Sequence, residues 1–327
     1  MTSLPHVVTP AGLRRVVIVA FAEAQLLDIA GPADVFATAN ELCPNPVFDI
    51  VVASSLGGLI ATTSGIAIDT RPIRTVDVHG IDTALLAGGA RGGVVEALQD
   101  RPLAQWMTAV AGSARRYGSV CSGAFALARW GLLDGRRATT HWSATHTLRR
   151  IHVGTSVEPS ALYVQDGHVW TSGGVTAGID MCLAMVEEDL GRGLAARVAR
   201  QLILSMRRLG NQSQYSQVLD LQAGRYPELV GWIRAHLGES LGVERLAEFV
   251  GESPRSFRRH FEAETGETPA AFVETIRLQA AKEHLEAGAS VKAAARAAGV
   301  SSGEHLARMF KRRFGMTPRQ YQAVHSP

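Results

Sequence analysis

Two sets of side chains in this 327-residue chain are spaced for chemistry as well as for packing. Near the end, Arg255, Ser256, Arg258 and Arg259 form one cluster, and Glu304, His305, Arg308, Lys311 and Arg312 form another. A guanidinium is a planar fork of donors that matches the acceptor pair on a guanine edge, and either cation can pair with phosphate. The second set centres on Cys121, in Ser119-Val120-Cys121-Ser122-Gly123-Ala124. A thiol becomes a nucleophile when a nearby base or a helix N-terminus favours its thiolate. His141, in Ala138-Thr139-Thr140-His141-Trp142, is the candidate base, and Glu23 or Asp28 the candidate carboxylate.

The arginine clusters lie in a region that repeats itself. Gly251-Glu252-Ser253-Pro254 leads into Phe257 and Phe261, and then to Gly266-Glu267-Thr268-Pro269 and Phe272. Gly299-Val300-Ser301-Ser302 leads into Leu306 and Phe310, and then to Gly315-Met316-Thr317-Pro318 and Tyr321. The offset is 48 at the glycines and 49 at the prolines, so one residue is inserted between them. Repetition of this kind marks two copies of one supersecondary unit. In each copy an apolar-patterned helix precedes a glycine turn, and a serine caps the helix that follows. In the first copy Val243, Leu246, Ala247 and Val250 recur at helical spacing, Gly251 turns the chain, and Pro254 suits the first helical position. Phe257 and Phe261 then face inward while the arginines face out, the design of a DNA-reading helix-turn-helix. In the second copy Ala294, Ala295 and Ala298 support, Ser301 or Ser302 caps, and Lys311-Arg312-Arg313 closes the helix. Ala271 to Leu285 is apolar enough for a rigid helix joining the two copies. Side by side, such units would enter major-groove segments about 34 Å apart.

This tandem unit resembles the DNA-binding region of the AraC/XylS family of bacterial regulators over roughly the last hundred residues. The resemblance includes the opening helix Pro227–Leu237 and the signature Arg277-Leu278 with Ala280-Ala281. It implies double-stranded DNA as partner, with base reading by Arg255, Arg258 and Arg259 in the first copy and Glu304 and Arg308 in the second. Gly303 leaves one reading slot of the second copy without a side chain.

The first 190 or so residues alternate between strands and helices. Val16-Val17-Ile18-Val19-Ala20-Phe21 is a continuous apolar run, as a buried parallel strand requires. Helices are expected over Ile29 to Asn40 (opened by Gly31-Pro32), Val94 to Ala111, Ser122 to Trp130 and Ala177 to Leu190. Strands are expected over Phe48 to Ala53, Thr83 to Leu86, Tyr117 to Cys121 and His168 to Thr171. This predicts an α/β domain with a parallel sheet covered on both faces. Cys121 falls where a strand turns sharply into a helix, the geometry of a nucleophile elbow. A small core residue at a tight turn, beside a hydrogen-bonded structural histidine, reads the same way in sequence. Gly88-Gly89-Ala90-Arg91-Gly92-Gly93 is not a dinucleotide fingerprint, and no Walker pattern occurs, so no nucleotide cofactor is expected.

The block Tyr117 to Trp142 resembles the ThiJ/PfpI branch of the class I glutamine amidotransferase-like superfamily. So do Leu26-Leu27-Asp28-Ile29-Ala30-Gly31-Pro32 and the segment Trp170 to Asp180. That resemblance covers about residues 14 to 190 and implies a flavodoxin-like parallel sheet. By position its catalytic residues would be Cys121, His141 and Glu23 or Asp28, with Asp28 paired to Cys121 as in isonitrile hydratases. Ala87 stands where that branch often has proline, and Ala22-Glu23-Ala24 replaces its usual Pro-Gly.

An amidotransferase-like domain ahead of an AraC-type reader resembles GlxA-like regulators. The domains are then expected at 1–193 (sensing or dimerisation), 194–226 (helix and linker, with the polar run Gly210 to Ser216) and 227–327 (all-α, helix-turn-helix units at about 243–265 and 291–314). The resemblance implies a homodimer and a small-molecule effector near Asp28, Gly88, Gly89, Cys121, Ser122 and His141. The alternative is a thiol-dependent hydrolase or hydratase using Cys121.

Composition agrees with two globular parts, at 46% hydrophobic residues and a net charge of +3. From Ser240 onward there are 13 Lys+Arg against 10 Asp+Glu, which places the whole surplus in the last quarter. Cys43, Cys121 and Cys182 are odd in number and far apart, which predicts a reducing cytoplasm, no disulfides and no zinc site. No apolar run is long enough for a membrane span, and Met1 to Arg15 lacks a signal-peptide pattern.

Overall fold

The computed structural model describes residues 12–204, 225–314 and 316–325, and the chain divides into two compact units, Met1–Arg208 and Leu209–Pro327. The polar run Gly210 to Ser216, expected as a linker, lies outside the described residues.

The first unit begins with β1 (Arg14–Val19), α1 (Leu26–Leu42), β2 (Phe48–Ser54), β3 (Gly58–Ala61), β4 (Ala67–Pro72) and β5 (Ile81–Leu86). Next come α2 (Arg91–Gln99), α3 (Arg101–Ser113), β6 (Arg116–Val120), α4 (Gly123–Arg129), β7 (Arg137–Ala138) and α5 (Thr145–Ile151). It closes with β8 (Ser156–Val157), β9 (Tyr163–Asp166), β10 (Val169–Ser172), α6 (Thr176–Leu190) and α7 (Arg192–Gln201). Eight strands form one sheet in the order β3-β4-β2-β1-β5-β6-β10-β9. The six central strands run parallel, while β3 and β9 run antiparallel at the two edges.

The unbroken apolar run of β1 follows from its central place. Val16 and Ile18 face the core under α1, α6 and α7, and Val17 and Val19 face the core under α3 and α4. Alternate residues of a strand point to opposite faces, so a strand covered twice is apolar throughout. Strand order reverses between β1 and β5, and in open α/β sheets the crevice outside the strands' carboxyl ends at such a point is the ligand-binding place. At the far end of the sheet, Asp189 is almost fully buried and paired with Arg14, Arg115 and Arg116, which neutralises it there.

Three elements differ from expectation. Helix α1 starts at Leu26, ahead of Gly31-Pro32, and carries Pro32 in its interior. A proline there forfeits one helical hydrogen bond. Burial of Ile29, Val35 and Phe36 holds the helix together, with Gly31 so close that a Cβ would lie 2.8 Å from Ile179. The helix expected over Val94 to Ala111 is two, broken at Asp100, whose extended backbone and side chain cap α3 by accepting from Leu103 N–H. The helix expected at the start of 194–226 is α7, which begins at Arg192 and packs on α1 and α6 within the first unit, and residues 205–224 lie outside the described residues.

The second unit is all helical over its described residues: Leu229–Ala235, Val243–Phe249, Pro254–Thr265, Pro269–Glu286, Val291–Ala297, Gly303–Phe314 and Pro318–His325. Side-chain oxygens start most of them. Ser253, Thr268, Ser290 and Ser302 accept from the backbone N–H three residues on. Thr317 and Gln320 cap each other reciprocally. One core joins Phe257, Phe261, Phe272, Ile276, Leu306, Phe310 and Tyr321, so both copies of the repeat share their interior with the long helix Pro269–Glu286.

Candidate functional site

In the first unit the candidate residues gather at the carboxyl end of the sheet. Cys121 follows β6 directly and is held at φ 55, a conformation an L-residue adopts only under constraint. Its N–H donates to the carbonyls of Ser172 and Gly173 at 3.1 Å, and its carbonyl accepts from the Thr140 hydroxyl at 2.8 Å. Four non-glycine residues among those described have positive φ, and three of them, Glu23, Cys121 and Val175, surround this end of the sheet. Such strain persists only where neighbouring structure over-determines it, and it clusters at functional sites.

Asp28, in the first turn of α1, is fully buried. Its two oxygens accept from the N–H groups of Gly88 and Val175, each at 3.1 Å, and its carboxyl also bonds the Cys121 thiol. Burial raises the Asp28 pKa to about 6, against the pull of those hydrogen bonds. Burial and the adjoining Asp28 charge push the Cys121 thiol up to about 12. The sulfur at this elbow is therefore a protonated donor to a carboxylate.

The glycines are fixed by this contact. A Cβ on Gly88 would stand 2.7 Å from Ser122 N and 2.8 Å from both the Asp28 carboxylate and Cys121 Cβ. Gly89 N–H donates to the Ser122 hydroxyl at 3.0 Å, which ties the turn after β5 to the start of α4. His141 reaches the same space from outside the large sheet, opening a short helical turn after β7. A Cβ on Gly174 would lie 3.2 Å from His141 Nε2 and 3.5 Å from Cys121 Sγ, so both rim one hollow. His141 Nδ1 pairs with Ser143 at 2.8 Å, burial lowers its pKa, and no hydrogen bond joins it to Cys121 among the described residues. The Glu23 carboxylate points elsewhere and accepts from Gly93 N–H at 3.0 Å, in the first turn of α2. Glu23 and Asp28 are equivalent candidates in the sequence, and the structure puts Asp28 on the sulfur. Two further residues hold the site: Val175 through its backbone N–H, which carries no side-chain signal, and Thr140 through a hydroxyl that donates to the Cys121 carbonyl.

In the second unit, Phe257, Phe261, Leu306 and Phe310 are buried, and Arg255, Arg258, Arg259, Glu304, His305, Arg308, Lys311 and Arg312 are exposed. The side chains differ in how far they are engaged. Arg258 pairs with Glu262 at 2.8 Å, and Arg312 with Glu274. Arg259 donates to His260, which in turn bonds Glu252, itself held by Tyr226 and Arg225. His305 pairs with Ser301 at 3.0 Å. Arg255, Arg308 and Lys311 have no side-chain partner among the described residues. Ser256 donates its N–H to the capping Ser253. No cluster of His, Cys, Asp or Glu suited to a metal occurs among the described residues, and none of their helices is long and apolar enough to cross a membrane.

Comparison with known proteins gives both units a family. The DJ-1/PfpI family model matches residues 14–188, and a helix-turn-helix domain model matches residues 246–323. The transcriptional regulator GbdR of Pseudomonas aeruginosa is 27% identical across 90% of this chain and 80% of its own length. The isonitrile hydratase of Pseudomonas putida is 35% identical across 56% of this chain and 75% of its own length. The crystal structure of a ThiJ/PfpI protein from Pseudomonas syringae superposes with a TM-score of 0.52 at 26% identity, over 58% of this chain and 74% of that one. The chain belongs to the DJ-1/PfpI family, and with its AraC-type helix-turn-helix domain it is a sequence-specific DNA-binding transcriptional regulator.

Proposed function

We propose that this regulator is of the GlxA-like type, acts in the cytoplasm as a homodimer, and responds to a small polar effector in the first unit. The observation that carries the DNA-reading part is the pair of serine-capped helices that bury their aromatics and leave arginines outward. Arg255, Ser256, Arg258 and Arg259 read the first major-groove segment, and Glu304, His305 and Arg308 face the second, with Lys311 and Arg312 toward phosphates. Loss of a bidentate arginine–guanine contact costs about 1–3 kcal/mol of site-specific binding. Arg255→Ala and Arg258→Ala are each expected to weaken binding to a duplex selected from a random library by that amount. Unchanged affinity in both would remove the assignment.

The effector site is the hollow bounded by Asp28, Gly88, Gly89, Cys121, Ser122 and His141. A ligand there controls DNA binding only by its difference in affinity between the two states of the protein. The edge strand β3 supports the dimer, since exposed Leu59, with Leu56 and Ile66 nearby, offers an apolar sheet edge to a second copy of the chain. Leu59→Lys is expected to shift the sedimentation of the full chain toward monomer.

The bond between Asp28 and Cys121, together with the hydratase likeness of the first unit, favours a second reading as a thiol-dependent hydratase. Turnover of isonitriles that disappears in Cys121→Ser would establish it. A thiol held protonated to about pH 12 argues for binding instead.

A further inference from the structure

The two copies of the repeat carry their positive charge in different places. Aligned on the capping serines, Arg255 stands opposite Glu304, Arg258 opposite Ala307, and Arg259 opposite Arg308. Aligned on the turn glycines, Glu244 stands opposite Lys292 and Glu248 opposite Arg296. Past the exit prolines, Ala270 stands opposite Arg319. The helix beneath therefore carries acids in the first copy and cations in the second, while the outer helix carries cations in both, near its start in the first copy and from Arg308 onward in the second.

In the second copy this reversal surrounds a groove. Lys292 and Arg296, four residues apart on one helix face, and Arg319 line an open hollow of about 1180 Å³ with Gly303, Glu304 and Ala307. The hollow exists because Gly303 and Ala307 are small where the first copy has Pro254 and Arg258. Lys292, Arg296 and Arg319 are exposed and have no side-chain partner among the described residues. By contrast, Glu248 of the first copy is paired with Arg245 at 2.8 Å. Three unpaired cations against the single Glu304 make a receptor for a polyanion.

We propose that this groove grips the sugar–phosphate backbone of duplex DNA through Lys292, Arg296 and Arg319, so that the second copy mainly anchors the protein while the first reads sequence. This rests on the reading above, in which the second unit lies on DNA. The two roles separate in solution. Each phosphate contact releases counterions regardless of sequence, whereas a base contact changes the ratio between right and wrong sites.

The test uses the full chain, with binding to a library-selected duplex and to a scrambled duplex followed by fluorescence anisotropy across a salt series. The triple variant Lys292→Ala/Arg296→Ala/Arg319→Ala is expected to lose affinity for both duplexes by a common factor. That factor is on the order of several hundredfold at about 0.1 M salt, and the log–log salt slope becomes shallower by about 2.7. The double variant Arg255→Ala/Arg258→Ala is expected instead to collapse the preference for the selected duplex. A triple variant whose loss is confined to the selected duplex, or whose slope is unchanged, overturns the anchoring role while the double variant still supports reading. If neither variant alters binding, the DNA-facing assignment of the whole unit falls with it. The charge reversal Lys292→Glu/Arg296→Glu restores the acids of the first copy and is expected to weaken both duplexes further. Circular dichroism of each variant confirms that the helices are intact.

Discussion

The pocket behind Cys121 and the surface around Arg255 make opposite use of polar groups. In the pocket, charge is buried and committed. Both Asp28 oxygens are occupied by backbone donors and the thiol, and even the glycines are fixed by contact. On the helices Pro254–Thr265 and Gly303–Phe314, guanidinium groups stand in water, and those of Arg255 and Arg308 have no side-chain partner among the described residues. A buried polar network is pre-organised and costly to disturb, while an exposed cation contributes almost nothing to folding. Hence substitutions in the pocket should register as stability, and substitutions on the reading surface as affinity.

The most severe test of that contrast is Gly88→Ala. The added methyl has no open space, because backbone, carboxylate and Cys121 Cβ all lie within 2.8 Å of it. Forced overpacking of this kind costs about 3 kcal/mol, and urea unfolding of the first unit should show a loss of that order. Arg255→Ala, by comparison, should move the unfolding midpoint by no more than about 0.5 kcal/mol equivalent. A Gly88→Ala protein as stable as the parent would mean that the pocket is looser than its contacts imply.

Next in size is a dependence on pH. The Asp28 pKa is raised from 3.8 to about 6 in the folded chain, so the folded state binds the proton more tightly than the unfolded state. The stability that Asp28 contributes is fully present below pH 3.8 and is lost as pH rises through about 6. The difference between the two pKa values corresponds to about 3 kcal/mol. Asp28→Asn cannot titrate, so the gap in unfolding free energy between parent and variant should change by up to that amount from acid to neutral pH. Parallel pH profiles for the two proteins would show that Asp28 is not the buried acid described.

What could be read in the sequence follows the same division. The first strand (expected over Val16 to Phe21, found at Arg14–Val19), the turn glycines and the capping serines were legible because local chemistry and long-range packing agree there. Gly251 and Gly299 both have positive φ, at 72° and 66°, as a turn glycine should. Pro32 inside α1 was not legible, since only its burial against the sheet outweighs its local penalty. The break at Asp100 was, in principle, because Asp100-Arg101-Pro102 is a cap followed by a proline at a helix start. The edge strands β3 and β9 carry weak local signals, and β3 is largely exposed. Within the site, Cys121 announced itself by the small residues that follow it. The choice between Asp28 and Glu23 turned on where each carboxylate points, a matter of tertiary structure. Glu23 is spent on the N–H of Gly93, and nothing in its sequence neighbourhood says so.

The smallest predicted effect bears on the reading surface alone. Arg258 donates to Glu262 one helical turn later, with both side chains partly in water. Exposed pairs at this spacing contribute about 0.3–0.5 kcal/mol, and less when the cation precedes the acid, as here. Glu262→Gln should therefore leave the unfolding midpoint nearly unchanged. It should nevertheless tighten DNA binding, because it releases the Arg258 guanidinium and removes a negative charge from the face proposed to meet DNA. A contact that serves stability would show the reverse: lower stability with DNA affinity unmoved. Titrating the variant against the selected duplex therefore decides whether Arg258 belongs with the committed groups of the pocket or with the uncommitted ones of the surface.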